Sequence, residues 1–326
     1  MNNLYYILIL NFSILYLFFW LSIRKHFWYI YSYPTKEGKK VKSSKVYSGL
    51  GLACVLGSIF SFLIFMQINN YDIKSFNFFL IFLIFATFIG LLDDILDLDP
   101  YLKLIIIFFI CLFISFSYLA ELKDIKDKIY LLMTFFLILV YFNSINFVDG
   151  SDGFLLCHIF FFTLGSILII TNVNIEILDN YLIFLLIFLS SCLALLYFNL
   201  SGKAIIGNTG SFAAGVVLCY FGVLYIRNGL TYQLLILIMY PLTDVVLSLL
   251  KKIIIKKQLF KKDFCYFFLK PIKNKGKSHF YVFNSFLIYN IFNFFSLYLS
   301  ILINAQVGLS FSIIISSILI LHFEKN

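Results

Sequence analysis

Residues 129–154 read IYLLMTFFLILVYFNSINFVDGSDGF. An apolar run ends abruptly in Asn143, Asn146, Asp149, Gly150, Asp152 and Gly153, and then resumes at Phe154. About 20 apolar residues make a helix that crosses the hydrocarbon of a bilayer. This stretch therefore predicts a membrane span whose end carries amides and carboxylates. Asn146, Asp149 and Asp152 are three apart and share a helical face if the helix continues. Gly150 and Gly153 break it, which predicts a turn that crowds carboxylates and free N–H groups together. Such a turn suits a phosphate–metal complex. An ordinary Gly-Asp turn is the plainer alternative. Two Asp-Gly steps three residues apart, behind two asparagines, ask for more than that.

The rest of the chain supports the membrane reading. Of 326 residues, 62% are hydrophobic and 13% charged, where a soluble domain is about 45–50% apolar. The expectation is an all-α polytopic membrane protein of about eleven spans. They lie near 3–23, 46–67, 76–92, 101–120, 129–146, 154–172, 178–198, 210–227, 230–250, 281–303 and 305–323. The first span has no basic residues before it and no cleavage site after it, so it reads as an uncleaved helix. The six cysteines form no C-x-x-C pair, and five lie in apolar spans; they read as small buried hydrophobes.

Lys and Arg favour the cytoplasm. With the N-terminus outside, 20 of the 25 basic residues fall inside and five outside. The C-terminus is then cytoplasmic, and the expected cytoplasmic loops are 24–45, 93–100, 147–153, 199–209 and 251–280. The whole chain, 1–326, reads as one transmembrane domain in a bacterial inner membrane. The net charge of +9 follows mostly from this asymmetry, with anionic lipid headgroups as natural neighbours.

Three further polar segments interrupt the apolar chain, and this topology puts all four on the cytoplasmic side. Asp93 and Asp94 close the third span, with Asp97 one turn on. Acids at a lipid boundary are costly and imply function, and their mutual repulsion calls for a divalent cation, a lysine or a proton. Gly207-Asn208-Thr209-Gly210-Ser211 opens the eighth span, where free N–H groups favour anions; a Gly loop with Ser211 as N-cap is the plainer reading. Lys275-Gly276-Lys277-Ser278-His279 ends in a loop histidine suited to diphosphate binding or proton transfer. Lys45, Lys103, Lys203 and Lys277 stand beside these motifs. Pro241 and Asp244 lie inside the ninth span, and Asp244 is placed to orient lysines of the site.

Together the segments resemble the polyprenyl-phosphate N-acetylhexosamine-1-phosphate transferase superfamily (glycosyltransferase family 4), in its WecA-like branch. The related phospho-MurNAc-pentapeptide translocases belong to the same superfamily. The resemblance runs from about Pro34 to Val282. Asp93-Asp94-x-x-Asp97-Leu98 with trailing Lys103 looks like the family's D-D-x-x-D-L segment. Asn143-x-x-Asn146-x-x-Asp149-Gly150-x-Asp152-Gly153-Phe154 matches N-x-x-N-x-x-D-G-x-D-G-L almost fully. Lys45 lies in a stretch like the family's basic entry to the second span.

Membership implies that a lipid phosphate attacks the β-phosphorus of a UDP-sugar on the cytoplasmic leaflet, releasing UMP. The implied partners are a UDP-N-acetylhexosamine, undecaprenyl phosphate and membrane lipids, with no nucleic acid; a homodimer is compatible. The implied cofactor is Mg²⁺, with Mn²⁺ as a substitute. By resemblance Asp93, Asp94 and Asp149 are catalytic and Asp152 and Asn208 hold the metal. Lys45, Lys103, Asn143, Asn146, Gly150, Gly210, Ser211, Lys277 and His279 bind substrate. The product would start a lipid-linked cell-surface polysaccharide.

Two departures stand out. Asn208 replaces the Asp of the family's G-D-x-G-S, which removes one negative charge; eukaryotic members keep that Asp but carry Asn where Asp152 stands. The family's R-x-H-x-H-H motif is reduced to Lys277-Ser278-His279, and the translocase's three consecutive histidines are missing. A degenerate member that binds lipid phosphate or nucleotide-sugar without turnover is the main alternative, with the translocase reaction behind it. A transporter would place acids at mid-membrane, and the D-G-x-x-A-R core of a CDP-alcohol phosphotransferase is absent.

Overall fold

The computed structural model describes residues 2–25, 30–32, 46–119, 125–173, 176–255 and 266–325. The chain folds as an all-α membrane bundle. Its long helices are α1 (Asn2–Lys25), α2 (Leu50–Ile68), α3 (Asn77–Leu96), α4 (Pro100–Leu119), α5 (Ile125–Val148), α6 (Phe154–Val173), α7 (Glu176–Leu200), α8 (Gly207–Arg227) and α9 (Thr231–Ile254). After the short α10 (Lys270–Lys275) come α11 (His279–Leu302) and α12 (Ala305–Lys325). Each expected span falls on one long helix. Ten of these are long and apolar enough to cross a membrane, and a shorter apolar stretch, Pro100–Phe116, forms most of α4.

The second expected span is corrected at its start. Val46–Ser48 is not helix but a strand, β2, paired antiparallel with β1 (Ile30–Ser32). The Tyr47 backbone bonds Lys203 O and receives Ile205 N–H, and Gly49 turns left-handed (φ 84°) before α2 begins. A long-range bridge thus overrides an apolar pattern that reads as helix. The division of the last two helices follows local chemistry instead: Asn304 Oδ1 accepts from Gln306 N–H at 2.8 Å and caps α12.

The centre of the bundle is α8, where every residue but Asn208 and Arg227 is buried. A helix apolar on all sides must be surrounded by others, and α8 packs on α2, α3, α4 and α5. Small residues allow close approach between membrane helices. A Cβ on Gly90 of α3 would stand 2.5 Å from the Asn208 carbonyl oxygen, and one on Gly51 of α2 would stand 2.8 Å from Gly210 N. At the start of α8 three helices therefore meet backbone to backbone. This contact fixes the ends of α3 and α8 relative to each other, where the acidic and Gly-rich segments lie.

Candidate active site

The α3–α4 turn folds Lys103 back over the last turn of α3. Asp97 leaves the helix in a left-handed conformation (φ 48°), and Asp99 Oδ1 accepts from Tyr101 N–H at the start of α4. Lys103 Nζ then lies 2.6 Å from Asp93 Oδ1 and 3.8 Å from the exposed Asp97. Asp93 is buried; its Oδ1 also accepts from Leu98 N–H at 3.0 Å, while its Oδ2 accepts no hydrogen bond. Of the three neutralising partners that the acidic pair calls for, Asp93 has the lysine. Lys103, for which the resemblance implies phosphate, is in this state held by Asp93.

Asp94 is arranged differently. Its Oδ1 accepts from Asn208 N–H at 2.9 Å, and its Oδ2 accepts from Thr209 N–H at 2.9 Å and from the Thr209 hydroxyl at 2.6 Å. Helix N-termini hold unpaired N–H groups and the positive end of the dipole. The anion expected there is thus supplied by the protein itself. Gly207 admits it: its φ is 72°, and a Cβ would stand 2.8 Å from Asp94 Oδ2. The N-cap reading of Ser211 does not hold, because α8 begins at Gly207. Ser211 Oγ instead donates to Asn146 Oδ1 at 3.1 Å, tying α8 to the end of α5. Gly210 packs on Ile206 and Gly51, and Asn143 Nδ2 bonds Leu139 O in its own helix.

Helix α5 stops at Val148, and Gly150 N–H turns back to Phe147 O at 3.0 Å. Asp149 and Asp152 are half-buried, as is Asn208. Gly153, at φ 76°, donates its N–H to Asn199 Oδ1, and Asn199 Nδ2 donates to Ala204 O at 3.0 Å. His279 opens α11, and its Nδ1 lies 3.2 Å from both Asp152 N and Ser151 Oγ. A backbone N–H can only donate, so Nδ1 accepts and the ring proton sits on Nε2. The Asp152 carboxylate lies 4.0 Å from the same nitrogen. Lys277 is exposed, with its ammonium 5.3 Å from the Tyr281 ring centre. Lys45 lies outside the described residues.

Hydrogen bonds thus join all four segments at one end of the bundle: 93–94 to 208–209, 146 to 211, and 151–152 to 279. Asp244 serves the same end, as an anchor. Its carboxylate accepts from Phe267 N–H (2.9 Å), Phe268 N–H (3.1 Å), Tyr240 OH and Ser248 OH. This holds Tyr266 in a stack with Phe147, ring centres 4.7 Å apart, beside the 149–153 turn. Two contributors escaped the sequence reading. Thr209 sits inside a motif already singled out, and Asn199 shows only as a polar residue at the end of an apolar span.

No group of three or more His, Cys, Asp and Glu side chains among the described residues is arranged to hold a metal. The candidate donors are hard oxygens on half-buried side chains, Asp152 and Asn208, with Asp149 in the same turn as Asp152. Mg²⁺ is typically held by one or two carboxylates together with substrate phosphates. The donor set fits such a shared site and not an all-protein cage.

Comparison with known proteins bears on this geometry directly. The family model for glycosyl transferase family 4 matches residues 76–226, from the start of α3 to the end of α8. That stretch of the chain is similar to the family. Three of the four polar segments lie inside it, and only the one around His279 lies outside. The chain is also 28% identical over 208 residues to an undecaprenyl-phosphate alpha-N-acetylglucosaminyl 1-phosphate transferase of Thermotoga maritima. The match covers 63% of this chain and 62% of the relative's length. The chain is thus similar, over about two thirds of its length or less, to a transferase that acts on undecaprenyl phosphate.

Proposed function

We propose that this protein transfers an N-acetylhexosamine 1-phosphate from a UDP-sugar to undecaprenyl phosphate at the cytoplasmic face of the membrane. The observation that carries the reading is the junction of the acidic segment, the N-x-x-N-x-x-D-G-x-D-G segment and the α8 N-terminus through part-buried hydrogen bonds. In the reaction, an oxygen of the lipid phosphate bonds to the sugar-bearing β-phosphorus. The anhydride bond to the α-phosphate breaks, and UMP leaves with the bridging oxygen.

Two anions must meet, so the chain has to offset charge and orient both. Asp93 fits the role of orienting the nucleophile and taking its proton: one of its oxygens is unsatisfied, whereas both oxygens of Asp94 are engaged. Lys103, paired to Asp93, supplies positive charge beside it. Asp152 and Asn208 would hold Mg²⁺, which when bound offsets the diphosphate charge and stabilises the leaving UMP. His279 holds the Asp152 backbone and so fixes where that carboxylate stands. Asp149 orients the donor, with Gly150 in the same turn and Asn143 and Asn146 on the last turns of α5 that lead into it.

The test uses purified protein with undecaprenyl phosphate, Mg²⁺ and a panel of UDP-sugars, with UMP release as the readout. UMP from a UDP-N-acetylhexosamine is the expected result; none from any donor overturns the reading. Asn208 motivates a second reading, a binding protein without turnover. A thermal shift with UDP-sugar in the absence of UMP release would select it.

A further inference from the structure

We infer that Asp94 is a positioning residue that acts through Thr209, not a group that handles the reacting phosphates. The inference rests on the function proposed above for its meaning, but the geometry stands independently. Three donors converge on one carboxylate: the amides of Asn208 and Thr209 and the Thr209 hydroxyl, all within 2.6–2.9 Å. Two come from the free N–H groups of the first turn of α8, the place where an incoming phosphate would otherwise dock. Thr209 is fully buried, so its hydroxyl is spent inside the protein.

The same contact is locked from the other side. Gly90, one turn before Asp94, leaves no room between α3 and the Asn208–Thr209 backbone, and Gly207 leaves none between α8 and the carboxylate. Asn208 is held by this clamp through its own N–H, one of the three donors. Its side chain is the one element of the α8 N-terminus that remains half-exposed. The clamp therefore fixes the backbone from which the side chain of residue 208 projects. A carboxylate held by two helix amides and a buried hydroxyl is built to stay where it is.

The roles separate in two measurements on the full-length protein in detergent. The first is hydrogen exchange at the Asn208 and Thr209 amides, which needs no turnover. Exchange should speed up at both amides in Asp94→Ala and stay slow in Asp152→Ala; equal exchange in the two variants overturns the clamp. The second is UMP release against Mg²⁺ concentration. Thr209→Val should raise the Mg²⁺ needed for half-maximal rate on the order of tenfold, as displacement of a site element does. Thr209→Ser, which keeps the hydroxyl, should return it to within about twofold of wild type. The double variant Asp94→Asn/Thr209→Val should lose little beyond Asp94→Asn alone, because partners in one contact are not additive. A wild-type Mg²⁺ requirement in Thr209→Val, with accelerated exchange in Asp94→Ala, shows a clamp that does not act on the site and overturns the positioning role. Wild-type protein that releases no UMP from any donor sinks the transferase reading and leaves the exchange result to decide the clamp.

Discussion

Two acidic segments sit at one end of this bundle, and they are built in opposite ways. At 93–94 the carboxylates face the protein. Asp93 is buried on Lys103, and Asp94 is bound by three donors of α8. At 149–153 the carboxylates are half-buried, and the backbone around them is tied down through Asn199 and His279. The first segment orders the protein with its charges; in the second, the hydrogen bonds to Asn199 and His279 are made by the backbone. Residue type is the same in both. What differs is whether an opposing helix arrives with donors of its own.

The largest effects should come from the closed segment. Asp93→Ala leaves Lys103 mostly buried without its counter-charge, which costs about 3–5 kcal/mol, and turnover should vanish with the fold. The double variant Asp93→Leu/Lys103→Met separates the two losses, because an apolar pair of similar size often replaces a buried ion pair without loss of stability. Its melting temperature in detergent should recover while UMP release stays absent. If activity returned as well, Asp93 would be purely structural.

The open segment should behave in reverse. Asp152→Ala removes a side chain with no buried ion pair like that of Asp93, and its backbone N–H can still reach His279. Turnover should fall by about 10³-fold, the scale of losing one group that stabilises developing charge, with a melting temperature close to wild type. A large stability loss with residual activity would put Asp152 among the structural acids and erase the contrast between the two segments.

Much of this was legible in the chain. Eleven apolar runs of span length announced the helices, and the basic loops put the polar segments on one side. Hydrogen bonds join those segments in the fold. The division of labour between Asp93 and Asp94 was not legible. Neighbours on a helix point in directions about 100° apart, so which one meets Lys103 and which meets α8 depends on how α3 and α8 pack. The partners of Asp94 lie 114 and 115 residues away. The same holds for His279, which reads as a solvated loop residue until Asp152, 127 residues earlier, is brought to it. The β1–β2 pair escaped because its register depends on the Tyr47 bridge to Ala204. Local signals such as Asn304 were sufficient only where the structure they specify is itself local.

A smaller effect is expected where the two segments are joined. Gly90→Ala drives a methyl group into the Asn208 carbonyl, and backbone cannot yield as a side chain can. Overpacking of this kind costs about 1–3 kcal/mol, read as a lowered melting temperature. Because the shift is transmitted to residue 208, the Mg²⁺ requirement should rise in parallel. A stability loss with an unchanged Mg²⁺ requirement would mean that the α3–α8 contact holds the bundle but not the site.

The smallest effect should come from Asn208→Asp, and it has two opposed parts. The added carboxylate strengthens a hard-cation site, since attraction between opposite charges grows as water is excluded. It also adds a negative charge close to Asp94, whose Oδ1 accepts from the backbone N–H of the same residue. Without metal the two like charges repel, so the melting temperature of metal-free protein should fall slightly. With metal the repulsion is offset, and the concentration of Mg²⁺ for half-maximal UMP release should drop several-fold, about 1 kcal/mol. The signature is therefore a sign change: the variant is less stable than wild type in chelator and at least as stable in excess Mg²⁺. A uniform loss in both conditions would show that residue 208 faces Asp94 and not the cation, and the open half of the site would then have to find its second ligand elsewhere in the 149–153 turn.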